Sequence, residues 1–294
     1  MIRKILFAFL PLFILAIAFG FSYKFKLWYP RLGPDEILVF KNEKHPRPIR
    51  MNTNRITGSK VKDSMEFLRS FVNEGDLVYD VGANVGLKTD LYLACGASVI
   101  CFEPQPGCVS ILEEKYKENP RVYIEGIGLA AQEGEMDLYL CTEVDALSTF
   151  SKEQMEESRF SEHGYKWDNQ LKVPVSTLDA MIQKHGKPSY CKIDVENFEY
   201  EVIKGLNRAI PYLSFECNTE QWTIGKQCIE RLVSLGYDKF NYSVGATDLL
   251  LFPRWLSPGE FVRKVEEVLE KKDFSEVWGL WGEVYAQTSD QNPS

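Results

Sequence analysis

The sequence has no Cys-x-x-Cys pair and no cluster among its three histidines, so it offers none of the ligand spacings of a zinc site. Its seven cysteines, at positions 95, 101, 108, 141, 191, 217 and 228, are odd in number and scattered, which argues against a disulfide framework as well. Cys101 and Cys191 lie inside apolar runs, where a cysteine serves as a small hydrophobe, and reduced thiols are the expectation. A positive excess is also missing. The 34 Lys and Arg face 42 Asp and Glu, a formal charge of -8 that speaks against nucleic acid as a partner. No internal repeat and no low-complexity tract appears. What is present is an ordinary globular composition, 45% hydrophobic and 26% charged, able to build a core. Its 294 residues suit one large α/β domain.

Charge and hydropathy divide the chain unevenly. Residues 1–50 are net basic and the rest is strongly acidic. Between Lys4 and Lys24 lie 19 residues without a charged side chain, dominated by Leu, Ile, Phe and Ala. At ~1.5 Å per residue a helix of that length nearly crosses a ~30 Å hydrocarbon layer. Residues 1–23 are therefore expected to be a single-pass membrane anchor. A cleaved signal peptide is the competing reading, because Ala16-Ile17-Ala18 has the small-x-small form of a cleavage site. Lys24, Lys26, Arg31 and Lys41 outnumber Arg3 and Lys4 and lean the body toward the cytoplasm. One glycosylation triplet, Asn241-Tyr242-Ser243, would report the opposite side if modified. Residues 24–58, with Pro30, Pro34, Pro46 and Pro48, are expected to be a stem with little regular structure. The folded domain is placed at residues 59–294.

Within that domain, strands and helices alternate. Val61, Met65, Leu68 and Val72 keep helical spacing up to the Asn73-Glu74-Gly75 stop. A strand at 77–81 leads through Gly82-Ala83-Asn84-Val85-Gly86 into a helix with Leu87 and Leu91. Strands at 98–102 and 122–125 follow, separated by a helix opening near Pro106. That is a βαβαβ half of a doubly wound α/β sheet. Beyond it the spacing predicts a strand at 136–141, a polar and partly helical insert at 142–170, and a helix from Thr177 to Gly186. A buried strand at 190–194, a helix over Phe198, Val202, Ile203 and Leu206, and a strand at 212–216 come next. Helices over 229–233 and 261–269, with strands near 238–243, 248–252 and 281–286, complete the pattern.

The chemistry starts at the first turn. A strand ending Asp80-Val81 and turning through Gly82, Asn84 and Gly86 lets the backbone approach a nucleoside closely. Only two glycines are present, so this is not the dinucleotide pattern GxGxxG. Glu103 ends the second strand, where an acidic side chain accepts hydrogen bonds from both ribose hydroxyls. A tight turn and a solvated strand end would explain each feature alone; their order together favours a nucleoside cofactor.

At this point the sequence resembles a known family. Val78-Tyr79-Asp80-Val81-Gly82-Ala83-Asn84-Val85-Gly86, Phe102-Glu103-Pro104, Thr177-Leu178-Asp179 and Lys192-Ile193-Asp194-Val195-Glu196 are similar, in order, to the motifs of FkbM-type S-adenosylmethionine-dependent methyltransferases. The resemblance spans roughly residues 76–218. It implies a class I (Rossmann-like) methyltransferase fold, a mostly parallel seven-stranded sheet with helices on both faces. It also implies S-adenosyl-L-methionine as cofactor and methyl transfer to an oxygen of a glycan, glycolipid or similar small molecule. The family pattern has glycine after Asp-Val-Glu, where this chain has Asn197; asparagine tolerates a left-handed backbone better than most residues.

Candidate cofactor residues are thus Asp80, Gly82, Asn84, Gly86 and Glu103. Candidate catalytic residues are Asp194, Glu196 and Glu216, carboxylates at or just beyond the carboxyl ends of two later strands. An alcohol is a poor nucleophile until its proton is removed, and Asp194 is the first choice of base. These three carboxylates could also hold a divalent cation, although nothing in their spacing demands one. His163 and His185 read as a loop residue and a helix-end residue, Lys192 as a partner of a carboxylate, and Glu199 as a helix-start acid. A nicotinamide-dependent oxidoreductase and an inactive methyltransferase-like binding module remain the alternatives. The missing central glycine argues against the first, and the retained acidic residues against the second.

Overall fold

The computed structural model describes residues 38–40, 48–50, 64–245, 248–271 and 281–289. The apolar segment 5–23 lies outside the described residues. Among the described residues no helix is long and apolar enough to cross a membrane. In the stem, read from sequence as having little regular structure, β1 (Leu38–Phe40) pairs antiparallel with β2 (Pro48–Arg50).

The domain is built on a seven-stranded sheet formed by β3 (Leu77–Val81), β4 (Ser98–Phe102), β5 (Val122–Glu125), β9 (Tyr190–Ile193), β10 (Tyr212–Asn218), β11 (Lys239–Val244) and β12 (Trp281–Gln287). Their order across the sheet is β11-β12-β10-β9-β3-β4-β5. β12 runs antiparallel to both its neighbours, β10 and β11, and the other pairings are parallel. After β3 the chain adds β4 and β5 on one side and later β9 and β10 on the other, so the order reverses between β3 and β9. Ligands of open α/β sheets bind outside the carboxyl ends of the strands at such a switch point.

Side chains alternate between the two faces with the strand period of two. Tyr79, Val81, Ile100, Phe102, Cys191, Ile193, Leu213 and Phe215 pack into one core, under the helices Leu178–His185, Glu199–Lys204, Trp222–Ser234 and Pro258–Lys271. Val78, Val99, Cys101 and Tyr190 face the other core, with Tyr92 and Leu112 from the helices Leu87–Ala94 and Pro106–Tyr116. All seven cysteines are buried in the fold, Cys101 and Cys191 within the apolar strands expected of them.

Two departures from the sequence expectation matter for the site. The insert ends in a strand the sequence reading missed, β8 (Asn169–Ser176), which pairs with β7 (Gly134–Leu140) and β6 (Gly128–Leu129) in a separate three-stranded sheet. Pro174 reads against a strand, yet Val173 and Val175 are buried while Lys172 and Pro174 stay exposed. The strand expected at 248–252 is replaced by single bridges from Ser243 to Leu250 and from Phe240 to Leu256. Asp248 takes a left-handed φ of 51° there, and Pro253 follows. Asn241 is fully buried, and its Nδ2 donates to the carbonyls of Phe252 and Arg254, so the folded chain cannot carry a glycan on it.

Thr177 opens the helix Leu178–His185 as its N-cap, its Oγ1 accepting the Ala180 N–H at 3.1 Å. Thr177→Ala should lower the unfolding free energy by ~0.5–2 kcal/mol in urea titrations. A loss within error would show that the cap contributes nothing.

Candidate active site

The turn after β3 is shaped by three left-handed residues, Gly82 (φ 79°), Asn84 (φ 48°) and Gly86 (φ 78°). Both Gly82 and Ala83 donate backbone N–H groups to the Phe102 carbonyl at 2.9 and 3.2 Å, which ties the turn to the end of β4. A Cβ on Gly82 would run into the backbone carbonyl of Asp194, so the glycine is required by the neighbouring strand end. At Gly86 a Cβ would crowd Tyr116 and Leu112 on the helix Pro106–Tyr116.

Glu103 lies just beyond β4 and is almost fully buried. Its two carboxylate oxygens accept the backbone N–H groups of Asn84 at 2.8 Å and Gln105 at 2.9 Å. Burial pushes its pKa up to about 7, against the pull of those two N–H donors. An open cavity of about 110 Å³ lies here, lined by Gly82, Asn84, Glu103, Asp194 and Glu196 among others. Phe102, Ile127, Leu129 and Leu138 supply its apolar surface.

Two of the cofactor candidates do not line this cavity. Asp80 points down into the second core, accepting the Thr89 hydroxyl at 2.6 Å, and burial raises its pKa. It braces the turn from beneath. Gly86 belongs to the start of the helix Leu87–Ala94, where its carbonyl accepts from the Tyr116 hydroxyl at 2.8 Å.

Beside the turn, Asp194, Glu196 and Glu216 each place a carboxylate oxygen within 4.8 Å of the others. The backbone N–H of Asp194 donates to Val81 at 3.0 Å, joining the ends of β9 and β3. Its Oδ2 accepts from the buried ammonium of Lys192 at 2.6 Å. Burial alone would lower the pKa of Lys192, but the carboxylates of Asp194, Glu283 and Asp80 raise it and keep it charged. Burial, followed by repulsion from neighbouring carboxylates led by Asp194, pushes both Glu196 and Glu216 well above the usual carboxylate range. Glu216 lies apart from the main cavity and lines a smaller one with Asn197 and Glu199. The three oxygens could hold a divalent cation, in competition with the Lys192 ammonium already at Asp194.

Sequence reasoning missed the groups that the insert brings to this edge. Thr149 donates its hydroxyl to the Glu196 carbonyl at 2.6 Å, and Gln154 donates to the Glu196 carboxylate at 3.1 Å. Arg159 reaches Asn218 and Glu220, each at 3.2 Å, and its charge lowers the Glu196 pKa in part. The signal was Ser151-Lys152-Glu153-Gln154, a capping-box spacing; Ser151 does cap the helix Lys152–Glu157 through Gln154 N. Neither histidine reaches the carboxylates. His163 Nδ1 lies 2.6 Å from the Arg159 carbonyl, and His185 Nε2 lies 2.5 Å from Glu125.

The family model of the methyltransferase FkbM domain matches residues 80–275, about two thirds of the chain. The chain belongs to the FkbM methyltransferase family. That family uses S-adenosylmethionine, and the strand order with one antiparallel strand agrees with its class I fold. Among characterised relatives, the hexuronic acid methyltransferase AglP of Haloferax volcanii is 25% identical over 157 residues, 52% of this chain and 59% of that protein. The chain thus matches little more than half of that relative's length. Similar solved structures include a SAM-dependent O-methyltransferase from Thermotoga maritima, 11% identical with a TM-score of 0.37, covering 79% of this chain and 67% of that one. Another is precorrin-6y C5,15-methyltransferase from Geobacter metallireducens, 10% identical with a TM-score of 0.37, covering 79% and 90%. Overlaps this loose add nothing to the strand order.

Two glycines separate backbone freedom from close approach. At Gly75 (φ 85°) an added methyl group would have nothing within 4 Å, whereas at Gly82 it would meet the Asp194 carbonyl. Gly75→Ala should cost ~1 kcal/mol of stability, the left-handed penalty alone, and Gly82→Ala at least ~2 kcal/mol more. Equal losses in urea would remove the contact between the two strand ends.

Proposed function

We propose that this chain is an S-adenosylmethionine-dependent O-methyltransferase acting on a hydroxyl of a glycan or glycolipid, with hexuronic acid-bearing glycans the first class to test. The observation that carries this is one cavity lined by the Gly82 turn, Glu103 and the carboxylates of Asp194 and Glu196. The hexuronic acid specificity of the AglP relative supports the acceptor class.

Glu103 fits the ribose of the cofactor. Each of its oxygens accepts a single backbone N–H, which leaves lone pairs for two ribose hydroxyls, and those bonds hold the carboxylate still. Gly82 and Asn84 give the cofactor room at the turn. When bound, the cofactor supplies a methyl group on a positively charged sulfur. The chain's own part would be to take the acceptor's hydroxyl proton onto a carboxylate, leaving the oxygen ready to receive that methyl group.

Asp194 stands at the switch point with its orientation set by Lys192 and by Val81, and it is the first base. Glu196 and Glu216 hold their protons more tightly because of burial and like charge, which suits Glu196, the one that lines the cavity, to orient the acceptor by hydrogen bonding. Residues 5–23 complete the reading as a retained membrane anchor, with the domain on the cytoplasmic side.

Ribose hydroxyls donate to the ionised carboxylate, and in the free protein burial favours its neutral form up to about pH 7. Affinity for S-adenosylhomocysteine should therefore rise as pH increases from 6 to 8, and Glu103→Gln should remove that part of the rise. For folding the sign is opposite: the stability held by the neutral carboxyl is full below its unfolded pKa near 4.5 and is lost as pH rises through about 7. Glu103→Ala should weaken S-adenosylhomocysteine at least about tenfold, within the worth of charge-assisted hydrogen bonds. Unchanged calorimetric affinity in the folded variant would remove Glu103 from this role.

Asp194→Asn should leave S-adenosylhomocysteine affinity within about threefold while cutting turnover on the identified acceptor more than about a hundredfold, or ~2.7 kcal/mol on the barrier. Wild-type turnover in that variant would assign the proton to another group.

A further inference from the structure

Residues 194–199 form a tight, strained segment. Glu196 (φ 55°) and Asn197 (φ 70°) are consecutive left-handed residues, and neither is glycine. Such backbone persists only where its surroundings over-determine it. The insert supplies two constraints: Thr149 donates to the Glu196 carbonyl, and the Asn197 side chain donates to Ser151 Oγ at 3.3 Å. The third comes from the segment itself, where Glu199 Oε1 accepts the backbone N–H of Val195 at 3.1 Å.

Glu199 opens the helix Glu199–Lys204, where an acid is favourable through the helix dipole alone. That role needs no burial, because a solvated carboxylate serves the dipole equally well. Glu199 is instead 3% exposed, folded back beneath the turn and lining the small cavity with Asn197 and Glu216. Its donors are backbone groups, the N–H of Glu199, Val195 and Asn197, which offset the burial that pushes it up to about 7. Val195 lines the main cavity between Asp194 and Glu196. Without an acceptor its N–H would be left unsatisfied in a crowded edge, and the turn would gain by flipping outward.

We propose that Glu199 is a positioning residue: by accepting the Val195 N–H it locks the left-handed turn that presents Asp194 and Glu196 to the cavity. This rests on the reading of that cavity as the methyl-transfer site. Reach, not charge, carries the effect, since the partner is a neutral amide.

Two conservative variants of the full-length protein separate these terms. Glu199→Gln keeps an acceptor oxygen at the same reach and loses the charge; Glu199→Asp keeps the charge and is one methylene too short. Amide hydrogen exchange across residues 194–198 and calorimetric affinity for S-adenosylhomocysteine are measured for both. Glu199→Gln should keep wild-type protection at Val195 and affinity within about threefold. Glu199→Asp should lose at least about tenfold in protection and fivefold in affinity. The reverse order would assign Glu199 to the helix dipole and overturn the proposal; equal loss in both, or no loss in either, would overturn it as well. If the wild-type protein binds no S-adenosylhomocysteine, the cofactor reading fails, and the exchange at Val195 still decides the role of Glu199 by the same order of variants.

Discussion

At the switch point of the sheet, the chain leaving β3 passes so near the chain leaving β9 that the Gly82 backbone rests against the Asp194 carbonyl, while Asp194 N–H donates back to Val81. This one backbone contact couples the two halves of the site. It leaves no room for a side chain at Gly82, sets the left-handed turn after β3, and fixes where Asp194 begins. Because β3 also pairs with β4, the same contact places Glu103 across the cavity from Asp194. The Gly82 turn and the Asp194 strand end therefore cannot move independently.

Charge at this edge is arranged around one buried cation. Lys192 lies in register with Asp80 on β3 and with Ser214 on β10, and its ammonium ends on Asp194. Five carboxylates, Asp80, Asp194, Glu196, Glu216 and Glu283, act on it or are acted on by it. One positive charge cannot neutralise five negative ones in a poorly solvated setting, so protons must take up part of the difference. The elevated pKa values of Glu196 and Glu216 follow, which leaves these two side chains able to donate hydrogen bonds.

The insert contributes what the sheet cannot. Strands and helices of the main domain supply the turn, Glu103 and the three acids, all on short, well-packed connections. Thr149, Gln154 and Arg159 come from a segment between two strands of the small sheet; the first two hold the Glu196 turn, and Arg159 bonds to Asn218 and Glu220. Acceptor recognition would fall to this segment, because it covers the carboxylate side of the cavity with polar groups.

Local rules made much of the fold legible. The alternating strands, the Thr177 cap, the Gly186 stop and the buried thiols follow from side-chain period, capping chemistry and hydrophobicity, none of which needs distant residues. The glycine turn and Glu103 were legible for the same reason, as a strand end and a backbone conformation. Asn197 was read as tolerating a left-handed turn, and the φ of 70° agrees. Tertiary structure alone decided that Asp80 braces rather than lines the cavity, since the direction of a strand side chain depends on which core that face meets. It decided that Glu216, 20 residues beyond Glu196 in sequence, stands within 4.8 Å of it, since strand register brings them together. It also turned Glu199 from a helix-start acid into the acceptor for Val195, because no sequence pattern states where a buried backbone N–H finds its partner.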